Sequence, residues 1–268
     1  MHAWDLQDVG VDRLMQWIED TGLDTMCLAS TYHSGWFIHP HSTGHRLHWS
    51  ESGVAYFHPE ESFYERTKLR PAVASIAQRT NWLQLVADRL DHHGLRLVSW
   101  TIGAHNTRLG LLHPECTQHN AYGDVLPHAL SIGHDATRDY LKAVCRDLAV
   151  NYPMYGLQLE GFDWMSACHG HHHERDLAEL TGFEQELLSI CFNPETIRKA
   201  ESVGIDANRA REIIQKTLEA AFQSAPDRPA NHPQSMSELE DRSADLRNYN
   251  RFLKQLAESL IYEMTNES

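Results

Sequence analysis

The sequence predicts an α/β fold, a (β/α) barrel-like arrangement of parallel strands and helices followed by a helical C-terminal region. Two patterns lead there. An amphipathic helix, a short turn, an apolar strand and a long polar loop follow one another three times before residue 175. Strands alternating with helices imply a parallel sheet, and right-handed crossovers place every strand-to-helix loop at the same end. The second pattern is loop length: long loops follow strands, while the turns from helix to strand are short. Polar side chains then crowd around the C-terminal mouth of the sheet, where such folds build their sites.

The first cycle begins at Asp12–Glu19, where Val11, Leu14, Met15 and Ile18 share a helical face and Gly22 supplies the stop. Asp24–Ser30 ("DTMCLAS") is then a short buried strand. The stretch from Thr31 to Ser75 is irregular and rich in His, Gly and aromatic residues, with Val54–Phe57 ("VAYF") a weaker strand inside it. In the second cycle Trp82, Leu85, Val86 and Leu90 recur at helical spacing, Gly94 is a natural helix stop, and "LRLVSWTIG" from Leu95 follows as a strand. In the third, Tyr140, Leu141, Val144, Cys145 and Leu148 mark a helix, Pro153 closes it, and Met154–Glu160 ("MYGLQLE") is the strand. An open doubly wound sheet is the alternative architecture. No Gly-rich phosphate loop follows any strand, which weakens its nucleotide-binding form.

After Glu174 the chain turns helical. "FEQELLSI", "PETIRKAES" and "ANRAREIIQKTLEAAF" read as three helices, and Ser224–Ser237 is a linker containing Pro, Ser and Asn. The last helix carries Leu246, Tyr249, Leu253, Leu256 and Leu260 in a narrow apolar stripe, read either as packing on the barrel wall or as a seam between two copies. The organisation expected is a half barrel over 1–175 and a helical extension over 176–268, flexible near 224–237. A closed barrel needs roughly four more strands than can be counted, so a partial or truncated barrel is expected.

Composition narrows the function. The 268 residues are 41% apolar, enough for one sizeable core. No run approaches the ~18 apolar residues of a membrane span. The first residues carry charge where a signal peptide needs an apolar core, and the five cysteines form no CxxC pair, so a cytoplasmic setting is expected. The formal net charge of −14 repels nucleic acid and anionic membranes and leaves a neutral or cationic small molecule as the partner.

Glu160 ends a buried strand and precedes Gly161. At the mouth of a parallel sheet its carboxyl is placed for acid/base work; the alternative is a carboxylate that caps the next loop. The strand before it ends in "SWTIGAHNTRLG". Trp100 there is either a flat face for a sugar ring or a core aromatic. His105, Asn106 and Arg108 either bond ligand groups, Arg108 in bidentate fashion, or satisfy loop backbone. The first strand ends in "STYHSGW", bringing Tyr32, His33 and Trp36 to the same rim. Three strands delivering such groups to one mouth is a stronger signal than any single residue. The cluster "HGHHHE" (His169–Glu174) is open to three readings. A metal centre needs three or four convergent ligands, but Gly170 interrupts a helix between His169 and His173, and neighbouring histidines point apart. A polar loop over the site, with a histidine on Glu160 or on substrate, or a plain solvated loop, are the others. No metal and no cofactor is assigned.

Together "WLQLVADRLDHHGLRLVSW", "HNTRLG", "ATRDYLKAVCRDLAVNYPMYGLQLE" and Glu160 resemble the N-terminal half of glycoside-hydrolase-like TIM barrels, the superfamily related to the alpha-amylase clan, over about residues 10 to 175. The resemblance implies a hydrolase of carbohydrate metabolism. With Val54–Phe57 as second strand it sets Glu160 at the end of the fourth, a common place for a catalytic acid. The expected function is therefore a glycosidase, with Glu160 as general acid/base or nucleophile and Asp163 or Glu174 as the second carboxylate. Tyr32 and Trp100 would stack the sugar; His33, His105, Asn106, Arg108, His171 and His173 would bind its hydroxyls. The rivals are a metal-dependent hydrolase or isomerase built on His169–Glu174, and a non-catalytic carbohydrate-binding pseudoenzyme.

Overall fold

The computed structural model describes residues 1–40, 42, 44, 46–169, 177–224 and 227–267. Helices α1 (Ala3–Val9) and α2 (Val11–Asp20) lead to strand β1 (Thr25–Tyr32). A hairpin of β2 (Gly35–Ile38) and β3 (Leu47–Ser50) follows, then the short strands β4 (Val54–Ala55) and β5 (Ala72–Val73). Helices α3 (Trp82–Ala87) and α4 (Leu90–His93) precede β6 (Arg96–Ile102). After α5 (Thr107–Leu112) and a second hairpin, β7 (Thr117–His119) and β8 (Val125–Leu130), helix α6 (Asp135–Asn151) leads to β9 (Met154–Glu160). The rest is helical: α7 (Gly182–Ser189), α8 (Pro194–Ser202), α9 (Ala207–Ser224), α10 (Met236–Arg242) and α11 (Ala244–Glu267).

The main sheet has the order β5-β4-β1-β6-β9. β1 pairs with β6 in parallel, and β6 with β9, so the three strands expected to be parallel neighbours are so directly. Each is fed by a helix that returns the chain to the far end of the sheet, as parallel pairing requires. The helix signals act as the spacing implies: Asn81 caps α3 by accepting from Gln84 N, and Gly94 ends α4 at φ 61°. One long helix across Trp82–Leu90 was expected; the chain instead breaks at Asp88 and Arg89 into α3 and α4.

The Val54–Phe57 strand is corrected. Only Val54 and Ala55 pair, antiparallel to β1 and on its side away from β6. The physical reason is the connection. Between β1 and β4 the described residues form a hairpin and no helix, and the chain comes back in the opposite direction. Glu160 therefore ends the third of the parallel strands, not a fourth. The segment read as irregular also holds the β2–β3 hairpin.

Two clusters of buried side chains hold the elements. The first runs from Ala3 to Phe162 and takes in Leu260 and Met264; the second is built by α7–α11 with Ala121. The stripe on α11 is used within the chain: Leu246, Tyr249 and Leu260 are fully buried and Leu253 nearly so, which removes the seam between copies. Buried Arg138 on α6 fastens α11, donating to Leu256 O at 2.9 Å, Ser259 Oγ at 3.0 Å and Glu263 Oε1 at 2.6 Å. Asn193 donates to Glu115 O and Thr117 O, tying the start of α8 to the second hairpin. No helix among the described residues is long and apolar enough to cross a membrane.

A second ionic fastening holds the segment before α10. The Glu184 side chain is 0% exposed, and Arg228 donates Nε and Nη2 to its two oxygens at 2.6 and 2.8 Å, with His232 Nε2 3.1 Å from Oε1. The Arg228 hydrogen bonds hold this carboxyl down at about 2. A carboxyl depressed on folding stabilises fully above its unfolded value and loses that contribution as pH falls through its folded one. The wild type is therefore expected to lose more stability between pH 4.5 and 2 than Glu184→Gln, which is less stable at neutral pH. Urea unfolding at a series of pH values checks this; parallel stability curves would contradict it.

Candidate functional site

The parallel strands end together. Ile102 lies opposite Glu160, and Trp100 opposite Gln158, so Trp100 and Glu160 emerge on the same face of neighbouring strands. The Trp100 Nε1–H donates to Glu160 Oε2 at 2.7 Å. Tyr32, from the end of β1, meets the Trp100 ring edge-on at 5.2 Å. Burial raises the Tyr32 hydroxyl pKa, and the nearby Glu160 charge raises it further. Glu160 itself is exposed, so solvent and ligand can reach it. Gly161 then turns the chain at φ 64°, a left-handed conformation that disfavours side chains.

On one side of this pair stand rings that the sequence reading did not select. His2 lies flat on Trp4 at 4.2 Å and approaches Tyr32 at 4.8 Å and Trp100 at 5.4 Å. Ala29 N donates to Met1 O at 2.9 Å, which lays the N-terminal residues along β1 and brings His2 over the mouth. The signal was present in "MHAWDL", but nothing in its spacing links it to Tyr32, 30 residues on, or to Trp100, 98 residues on.

On the other side is a row of imidazoles. His33 stacks on Tyr32 at 4.5 Å and on His105 at 4.2 Å. The His105 ring has His169 at 4.9 Å and His128 at 6.1 Å. Burial pushes the His105 pKa down to about 3, helped by the three neighbouring imidazoles. His128 also holds the loop after β9, its Nε2 lying 2.8 Å from Ser166 O. Gln118, fully buried, brackets Met165 by accepting from its N and donating to its O, both at 2.9 Å.

Of the residues singled out in the sequence, Tyr32, His33, Trp100, His105 and Glu160 come together. Asn106 stands beside them but is 5% exposed and accepts from Leu109 N at 2.9 Å as the cap of α5. Gly53, at φ 61°, backs onto the same amide; a Cβ there would run into Asn106 Oδ1. Arg108 is exposed and donates to Ser52 O at 3.1 Å. Asp163 is exposed and accepts from Trp164 N at 2.7 Å, a local turn. His171, His173 and Glu174 lie outside the described residues. Among the described residues no group of three or more His, Cys, Asp or Glu is arranged to hold a metal ion. What remains is a carboxylate fixed beside aromatic faces and rimmed by imidazoles, of which His105 is held neutral by burial.

No family model matches the chain, and no curated protein matches it.

The state of His105 is testable. Below about pH 6.5 an unfolded histidine takes up a proton that folded His105 refuses until about pH 3, so this group lowers stability as pH falls through that window. Imidazole NMR is expected to show His105 neutral at pH 5, and His105→Gln to flatten the acid dependence of stability. A His105 ring titrating near 6.5 would contradict the arrangement.

Proposed function

We propose that this chain is a carbohydrate-active protein of the glycosidase type, with Glu160 as general acid/base at the mouth of a (β/α) barrel-like sheet. The observation that carries the reading is the contact between Trp100 Nε1 and Glu160 Oε2, 2.7 Å across two adjacent strand ends, with Tyr32 alongside. Sugars offer apolar ring faces edged by hydroxyls. Trp100 and Tyr32 supply aromatic surface for the faces, and Glu160 and His33 supply partners for the hydroxyls. Glycoside hydrolysis uses two carboxyls, about 5 Å apart for retention or about 6.5–9.5 Å for inversion, and Asp163 and Glu174 are the candidates for the second. The barrel-like reading draws on the β1, β6 and β9 order; the antiparallel β4 departs from it. A cytoplasmic setting belongs to the same proposal and draws on five cysteines without a CxxC pair.

The second reading is a metal-dependent hydrolase or isomerase built on His169–Glu174 with Glu160; of that cluster His169 lies among the described residues, its ring 4.9 Å from that of His105. Under that reading a chelator abolishes turnover and zinc or manganese restores it; under the glycosidase reading chelation changes nothing.

Glu160→Gln keeps the size and the acceptor for Trp100 but removes the titrating group. Turnover of aryl glycosides is expected to fall by roughly 10²–10⁴-fold, the contribution of a general acid/base, with the melting temperature little changed. A variant that melts several degrees lower with turnover intact would make Glu160 a loop cap. Saccharide binding without turnover by the wild type would remove the catalytic half of the proposal.

A further inference from the structure

The β2–β3 hairpin is apolar on both faces. Its register sets Trp36 opposite Trp49, Phe37 opposite His48 and Ile38 opposite Leu47. Side chains alternate along each strand, so Phe37 and His48 share one face, and Trp36, Ile38, Leu47 and Trp49 the other. The inner face is occupied. Phe37 lies 5.1 Å from His2 and 5.3 Å from Trp4, and His48 stacks on Trp4 at 4.2 Å. The outer face is bare: Trp36, Ile38, Leu47 and Trp49 are 46%, 65%, 48% and 65% exposed. A hairpin with one packed face ordinarily carries polar residues on the other. Contiguous apolar patches of this kind mark binding surfaces.

We propose that this outer face is a saccharide platform extending the strand-end site, so that the ligand is an uncharged glycan chain and not a single sugar; this rests on the carbohydrate reading above. Three observations select that occupant. Four side chains are far short of the roughly 20–30 residues a side of a stable protein interface. A second copy, like an anionic membrane, is repelled by a chain of net charge −14, whereas a neutral glycan is not. The hairpin that carries the platform is also anchored beside the mouth. Ser50 Oγ donates to His33 O at 2.9 Å, which fixes the base of the hairpin to the end of β1, and Trp36 follows His33 by three residues. Cross-strand partners stand about 4.5–5.5 Å apart at Cβ, so the Trp36 and Trp49 positions adjoin and offer neighbouring indoles to successive sugar rings.

The test is affinity electrophoresis through gels containing hydroxyethylcellulose, xylan, galactomannan or soluble starch. At least one polymer is expected to retard the wild type. The Trp36→Ala/Trp49→Ala double variant should bind that polymer about tenfold more weakly or worse, the scale of losing an aromatic anchor. Its melting temperature should be unchanged, because both side chains are exposed. Tyr155→Ala, at the opposite end of β9, controls for the loss of any exposed aromatic and should be retarded like the wild type. The proposal is overturned if the double variant is retarded like the wild type, or if no polymer retards the wild type. It is equally overturned if the double substitution instead abolishes self-association or binding to phosphatidylcholine vesicles. Glu160→Gln separates the two claims. An inactive Glu160→Gln beside a fully retarded double variant ends the platform and keeps the glycosidase; the reverse pair of results ends catalysis by Glu160 and keeps the platform.

Discussion

The register between β6 and β9 is the constraint on which the site depends. Ile102 opposite Glu160 and Trp100 opposite Gln158 put the indole and the carboxylate on one face, close enough for the 2.7 Å bond. Side chains alternate with period two, so a slip of one residue would send Glu160 to the other face and break the pair. The register is held by burial beneath it. Leu97, Ser99 and Thr101 face inward from β6, and the hydroxyls satisfy one another: Ser99 Oγ and Thr101 Oγ1 are 2.9 Å apart, Ser30 Oγ and Thr101 Oγ1 3.0 Å. A slip of β6 along β1 would part Ser30 from Thr101, and a slip along β9 would break the bonds from Gly103 N to Glu160 O at 2.8 Å and from Ala104 N to Gly161 O at 2.7 Å; a buried polar group left without its partner costs about 1–3 kcal/mol.

The loops are tied down as firmly as the strands. After Gly161 the chain is fixed by Gln118 on Met165 and by Trp164 Nε1 donating to Leu253 O at 3.0 Å. The helical region thus reaches the mouth through α11, while Arg138 fastens the same helix to α6. Helices α7–α11 do not supply the aromatic and carboxylate groups of the mouth. They hold the loop that leaves it.

Much of the frame was legible in the sequence because it rests on local periodicity. Three cycles of helix, turn and strand are present, the second with its helix broken into α3 and α4, and Glu160, Trp100 and Tyr32 meet because strand ends converge in any parallel sheet. What was hidden depends on long-range packing. "GWFI" and "LHWS" show no break between an inner and an outer face, so the hairpin was invisible until Phe37 met Trp4. "VAYF" carries no sign of direction; the missing helix before β4 decides it. His2 and Trp4 join the mouth only because Met1 lies along β1. Asn106 has the composition of a ligand-binding residue, and its engagement as a helix cap is visible only with Leu109 in place.

The most direct measurement of the central claim is a crystal structure of the protein with a neutral oligosaccharide bound. The account predicts a sugar ring in van der Waals contact with Trp100 and Tyr32 and a hydroxyl or glycosidic oxygen within hydrogen-bond reach of Glu160. Saccharide bound only at a distance from the ends of β1, β6 and β9, with the Trp100 and Glu160 side chains untouched, would contradict it.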